Sequence, residues 1–253
     1  MLSNIVIGLG VSYAILFVLS LFLRDNSIVD VFWGLGFLQV AIHSLYLSPS
    51  LLLSQLCLVF LIGLWALRIS GYILSKKLLS PGEDRRYAKW RLEWKWFYVR
   101  SFFQIYVLQM ILLLIVASPI VLFNLYPIAM NVVIGAGITV SLAGLVFESV
   151  ADWQLHAFVK NKQEGEIMTS GLWKYSRHPN YFGESVFWLG IGLIGVSVSW
   201  LALTGFFVIT ILLRYVSGVP LAEEGYENNK KYQEYAQNTP PFLPRFSNPD
   251  KLT

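Results

Sequence analysis

"YSRHPNYFGE", residues 175–184, leads into the apolar run 181–199 and sets an arginine, a histidine, an asparagine and a glutamate where a helix would enter lipid. Whether that run crosses a membrane decides the class of the protein, and composition answers the question. Of 253 residues, 56% are hydrophobic and 13% charged, and the mean hydropathy is +0.59; a soluble domain carries about 25% charge. Apolar stretches of about 18 residues or more, coiled as helices, cross a hydrocarbon core of about 30 Å. Seven are present, at 4–23, 28–48, 52–75, 102–124, 127–151, 181–199 and 200–217. The sequence therefore predicts an all-α, polytopic membrane protein of seven transmembrane helices, folded as a single domain over 1–253.

The first run is too long for a cleaved signal and lacks a basic n-region and a small-residue cleavage site, so it reads as the first membrane helix. Cys57, the single cysteine, excludes an intramolecular disulfide and a cysteine-based zinc cluster. Charge sets the orientation. The connections at 47–50, 124–127 and 197–200 carry none, whereas 76–100 carries Lys76, Lys77, Arg85, Arg86, Lys89, Arg91, Lys95 and Arg100. By the positive-inside rule the basic loop, the 160–180 loop and the C-terminal tail face the cytoplasm, and the N-terminus lies outside. A basic face against anionic lipid accounts for the pI near 9.1 without any nucleic acid.

Ionisable residues inside the spans are the informative ones, because a charge near the bilayer centre costs on the order of 3 kcal/mol and usually faces a protein interior. They are Asp30, Arg68, Glu148, Asp152, Glu184 and Arg214. A rise of about 1.5 Å per residue sets all six in the cytoplasmic half. Arg68 and Tyr72, Glu148 and Asp152, and Asn180 and Glu184 are i,i+4 pairs, each on one helix face. Together they point to a polar cavity open to the cytoplasm.

Around it, "SPGEDRRYAKWR" (80–91) offers Arg85, Arg86, Tyr87 and Arg91, with guanidinium forks for phosphate and a ring to stack on a base. The same stretch also reads as a headgroup anchor, although Glu83 and Asp84 suit a shaped loop with internal pairing better. In "YSRHPNYFGE", Pro179 holds His178 extended and starts a helix near Asn180, whose free N–H groups make an anion site flanked by Arg177 and His178. Tyr181 and Glu184 follow on its first turns. His43 and His156 are lone and no spacing argues for a metal; the tryptophans, Trp90, Trp94 and Trp96 among them, read as an interfacial belt. The tail past about 219 reads as a short helix beneath the cavity, ended by Pro240, Pro241 and Pro244.

"GLWKYSRHPNYFGE", with "FESVADWQ" (147–154) before it and "EEGYENNKKYQEYAQNTPPFLP" (223–244) after it, resembles the C-terminal region of the membrane steroid 5α-reductase family. "GEDRRYAKWR" (82–91) and the "D-x-F-W-G" pattern of 30–34 resemble an uncharacterised bacterial branch of it. The resemblance implies seven helices in a bacterial inner membrane, with NADPH bound in the cytoplasmic half to reduce a carbon–carbon double bond conjugated to a carbonyl. It assigns Arg68, Tyr72, Glu148, Asp152, Asn180 and Glu184 to cofactor contacts, with Arg214 a phosphate or cavity arginine. Asp30 stands where the steroid reductases carry a substrate-carbonyl glutamate, so Asp30 and Tyr72 are the expected proton donors. Two positions depart from the family: its catalytic tyrosine is Trp65 here, and its asparagine is Glu148. The expected partners are a lipophilic substrate, sterol-like or an enoyl lipid, and membrane lipids.

Two other readings stand beside this one. "RHPNYFG" (177–183) followed by Glu223 and Glu224 also resembles the isoprenylcysteine and phospholipid methyltransferases, which bind S-adenosylmethionine. A transport protein using the cavity for passage is the third.

Overall fold

The computed structural model describes residues 2–79, 82–163 and 165–246; Ser80 and Pro81 of the basic loop lie outside them. Helices are the regular secondary structure of the described residues, with no strand among them. In chain order the elements are α1 (Leu2–Leu23), α2 (Ile28–Tyr46), α3 (Leu53–Leu79), α4 (Arg85–Glu93), α5 (Phe97–Val116), α6 (Ser118–Leu125), α7 (Val132–Asn161), α8 (Pro179–Val196), α9 (Trp200–Glu223) and α10 (Lys230–Asn238). Six of these, α1, α2, α3, α5, α7 and α9, are long and apolar enough to cross a membrane.

The seventh expected span, 181–199, is realised as α8, which differs in kind. Asn180, Tyr181 and Glu184 on its first turns lower its apolarity, and 11 of its 18 residues are buried, so it is the helix the others enclose. Its apolar residues face protein, whereas the large side chains of the outer helices, such as Phe22 and Phe60, are exposed to the surroundings, as lipid contact requires. Other bounds shift for local reasons. The run at 102–124 breaks at Ala117 into α5 and α6, with Pro119 in the first turn of α6. α7 starts only at Val132 because Asn131 caps it, accepting from the Ile134 N–H at 3.0 Å.

The contact that positions the site is between α7 and α8. Gly137, Ser141, Gly144 and Glu148 of α7 face Gly183, Phe187, Gly190 and Ile194 of α8 so closely that a Cβ on Gly144 would stand 2.3 Å from the Phe187 nitrogen. A Cβ on Gly183 would stand 2.6 Å from the Glu148 nitrogen. Small residues let membrane helices approach backbone to backbone, and Ser141 adds a hydrogen bond to the Phe187 carbonyl at 3.2 Å. The result sets Glu148 directly against the turn that carries Glu184.

Behind this seam an aromatic nest joins α2, α3 and α8. Trp65, fully buried, stacks on Phe187 (centroids 5.6 Å apart, planes at 12°) and meets Phe37 and Trp188 edge-on. Trp65 is thus a core side chain.

Candidate functional site

At the end of the bundle that carries α4 lies a cavity of about 410 Å³, into which α3, α7, α8 and the tail project side chains. All three i,i+4 pairs meet there: Arg68 and Tyr72, Glu148 and Asp152, Asn180 and Glu184. Arg177, His178 and Tyr181 line it too. Helical periodicity supplied each pair, and the α7–α8 seam brings the pairs to one level.

Their hydrogen bonds are unequal. Arg68 donates to Asp152 Oδ2 at 2.6 Å and to Glu148 Oε1, tying α3 to α7. Asp152 uses its other oxygen to accept from Asn180 Nδ2 at 3.1 Å. That bond fixes the amide of Asn180, and its Oδ1 is left buried without a partner, as are Glu148 Oε2 and Arg68 Nε. Glu184, 5% exposed, makes no hydrogen bond among the described residues. Three carboxylates therefore surround one guanidinium, with acceptors unspent. Buried polar atoms in folded proteins are nearly always bonded, so a group of orphans lining one cavity calls for a ligand rich in donors or positive charge.

The rim is chemically different. Lys76 and Lys162 line it from the helix ends, the Lys76 ammonium lying 4.3 Å above the Tyr72 ring. Trp173 and the tail residues Tyr226, Tyr232 and Tyr235 supply an aromatic wall. The sequence reading did not assign these rings to the site; the helical charge spacing of the tail was the signal available, and it gave α10 but not the direction of its tyrosines. The tail is fastened firmly. Arg177 pairs with Glu223 (Nε–Oε1 2.9 Å), His178 Nε2 lies 2.9 Å from the same oxygen, and the Arg177 amide donates to the Pro240 carbonyl at 2.9 Å. Tyr235 donates to the Trp173 carbonyl at 2.5 Å. Tail and "YSRHPNYFGE" are one unit.

The remaining expected site residues do not line the cavity. Four of them, Asp30, Arg86, Tyr87 and Arg91, build a cap over the α1–α2 turn. Asp30 accepts from the Tyr87 hydroxyl at 2.7 Å and from Arg86 at 3.0 Å, with Gln109 Nε2 3.4 Å away. Arg86 also holds Asp84, and Arg91 forks onto Glu83 at 2.7 and 2.8 Å. Glu83 in turn accepts from the backbone and side chain of Asn26, both at 3.0 Å, and Lys77 pairs with Asp25. Burial opposes ionisation of Glu83, but Arg91 and Asn26 more than offset it, and its carboxyl is held below the usual range. Asp25 and Asp84 are lowered in the same way against burial, by Lys77 with Ser27 and by Arg86 respectively. Burial, then the charge of Asp30, push the Tyr87 hydroxyl well up, so it stays a donor. Arg86 and Arg91, two of the arginines expected to grip phosphate, thus have internal carboxylates. Arg85 is exposed, and Arg214, in a π-helical turn over 212–216, stacks on Tyr215 at 4.8 Å outside the cavity lining.

Compared with known proteins, residues 16–239 match the family described as a protein of unknown function (DUF1295), and the chain belongs to it. An uncharacterised protein of Schizosaccharomyces pombe is 25% identical over 244 residues, covering 80% of this chain and 70% of that protein. The nickel-cobalt-cadmium resistance protein NccN of Alcaligenes xylosoxydans xylosoxydans is 24% identical over 111 residues, 44% of this chain and 51% of its own length. Among the described residues no three His, Cys, Asp or Glu side chains are grouped to hold a metal ion. No solved structure matches.

Proposed function

We propose that the protein is an integral-membrane oxidoreductase that uses NADPH to reduce a carbon–carbon double bond conjugated to a carbonyl in a lipophilic substrate, sterol-like or an enoyl lipid. The observation that carries this reading is the single cavity in which the three i,i+4 pairs and the Arg177–Tyr181 segment converge, with Glu184 and three buried polar atoms unpartnered. The residues fit a dinucleotide. The acceptors of Asn180, Glu148 and Glu184 suit the N–H and O–H donors of a carboxamide and a ribose, and Lys76 and Lys162 at the rim suit phosphates. The rings of Trp173, Tyr226, Tyr232 and Tyr235 suit a base.

The bound dinucleotide supplies hydride. Around it, the carboxylates of Glu148, Asp152 and Glu184 lower the energy of positive charge, the sign a nicotinamide ring acquires on oxidation. Tyr72, lining the cavity with its hydroxyl free of partners among the described residues, donates to the substrate carbonyl oxygen. Asp30, bonded to Tyr87 and Arg86, supports the fold of the cap in this reading. The basic loop at the same end of the bundle supports a cavity facing the cytoplasm of a bacterial inner membrane.

A second reading, transfer of a methyl group from S-adenosylmethionine, is favoured by the same acidic depth, because three carboxylates against one guanidinium also suit a sulfonium. It gains from Arg86 and Arg91 being spent on Asp30, Asp84 and Glu83. A thermal-shift titration of the detergent-purified protein with NADPH, NADH and S-adenosylmethionine separates the two. A ligand binding only the native state raises stability by about 2.7 kcal/mol at a hundredfold excess over its Kd. Stabilisation by NADPH, lost in Asn180→Ala, is expected; stabilisation by S-adenosylmethionine alone overturns the reductase.

A further inference from the structure

We propose that Glu223 and His178 form a carboxylate–imidazole pair that carries protons into the cavity, with His178 Nδ1 the atom that gives and takes them. The geometry begins with the backbone. Pro179 keeps the residue before it out of the helical region, and His178 sits at φ −138°, ψ 65° just outside the first turn of α8, short of the fully extended geometry the sequence suggests. His178 is 7% exposed and lines the cavity, and its ring lies parallel to Tyr181 (centroids 5.2 Å apart, planes at 12°), which fixes the ring plane.

In that orientation Nε2 is 2.9 Å from Glu223 Oε1. A carboxylate only accepts, so Nε2 bears the hydrogen and the neutral ring keeps its lone pair on Nδ1. Nδ1 has no partner among the described residues. A histidine serving only to fasten the tail would be redundant here, because Arg177 already donates Nη2 to Glu223 Oε2 at 3.2 Å and Nη1 to the Ala236 carbonyl at 3.0 Å. Glu223 of α9 and Tyr181 of α8 touch the ring, and Arg177 on its own segment, Tyr232 and Tyr235 of α10, and Asp152 of α7 line the same cavity.

The step is simple. The Nδ1–H bond of the imidazolium breaks, its electron pair stays on nitrogen, and the proton goes to the α-carbon of the enolate left after hydride from NADPH has reached the β-carbon. Solvent then returns a proton to Nδ1. Only this destination rests on the reductase reading; tautomer and pairing do not. Glu223 is a positioning residue, because it acts through the ring.

The test is nitrogen NMR of the full-length protein in detergent, labelled at histidine, with His43→Gln and His156→Gln to isolate the His178 signals. Wild-type protein is expected to carry hydrogen on Nε2 alone at high pH and to gain it on Nδ1 as pH falls. Glu223→Gln, whose amide can donate as well as accept, is expected to admit the Nδ1–H tautomer, and NADPH to perturb the Nδ1 signal. An Nδ1–H tautomer in the wild type, or an Nδ1 that takes up no proton as pH falls, overturns the pair without needing any variant to fold. If His178 behaves as expected while NADPH neither stabilises the protein nor moves its signal, the reductase reading falls and the pair stands.

Discussion

The cap and the cavity are built from the same residue types at the same end of the bundle, yet they are balanced differently. In the cap, Asp25, Asp30, Glu83 and Asp84 meet Lys77, Arg86 and Arg91, and each carboxylate has a cation and further donors. In the cavity, Glu148, Asp152 and Glu184 share Arg68, and atoms of all but Asp152 are left unspent. Matched charge and satisfied hydrogen bonds make a fastening; unmatched charge held in place by a tight helix seam makes a site that waits for its ligand.

Substitutions that remove one side of a pair test this contrast most sharply. Arg68→Ala leaves Glu148 and Asp152 buried against each other and is expected to cost about 3–5 kcal/mol, read as a lower thermal unfolding midpoint in detergent. An unchanged midpoint would show that the cavity carboxylates are not held as charges by Arg68. Asp30→Asn takes the carboxylate from Arg86 and Tyr87, so a loss of about 1–3 kcal/mol with NADPH stabilisation intact is expected. Lost turnover at undiminished stability would instead return Asp30 to the proton-donor role that the sequence suggests.

Acid separates the regions without a mutation. Asp25, Glu83 and Asp84 have folded-state pKa values below their unfolded ones, so their contribution is full above about pH 4–4.5 and falls away as pH drops through the lower, folded values. Melting midpoints taken from pH 6 downward are expected to fall over that window, and Glu83→Gln to flatten the curve; a curve unaltered by Glu83→Gln would remove Glu83 from the cap's charge balance. The smallest change in stability is expected from Glu184→Gln, which breaks no bond among the described residues. Its midpoint should stay within about 0.5 kcal/mol of wild type while stabilisation by NADPH is lost; a large fall would mean that Glu184 is already satisfied within the protein.

Legibility in the sequence followed distance along the chain. Asn180 and Glu184, or Arg68 and Tyr72, share a face because a helix repeats every 3.6 residues, and no knowledge of the fold is needed to see it. Asp30 and Arg86 are 56 residues apart, and nothing local says that one will neutralise the other. Arg86 and Arg91 are the local counterpart: their partners Asp84 and Glu83 stand 2 and 8 residues away, close enough for the sequence to suggest internal pairing beside the phosphate reading. Trp65 read as a substitution at a catalytic position and is a core ring stacked on Phe187.

Composition and apolar run length determined that this is a helical membrane protein, since a bilayer admits few other solutions for so apolar a chain. Helical period determined which ionisable residues stand together, and Pro179 with the residues after it determined where α8 begins. Only the tertiary structure decided that α8 is an enclosed helix, because run length does not distinguish a helix wrapped in protein from one wrapped in lipid. It alone also decided which charges are spent on one another and which face the cavity, because pairing depends on contacts made across tens of residues of chain.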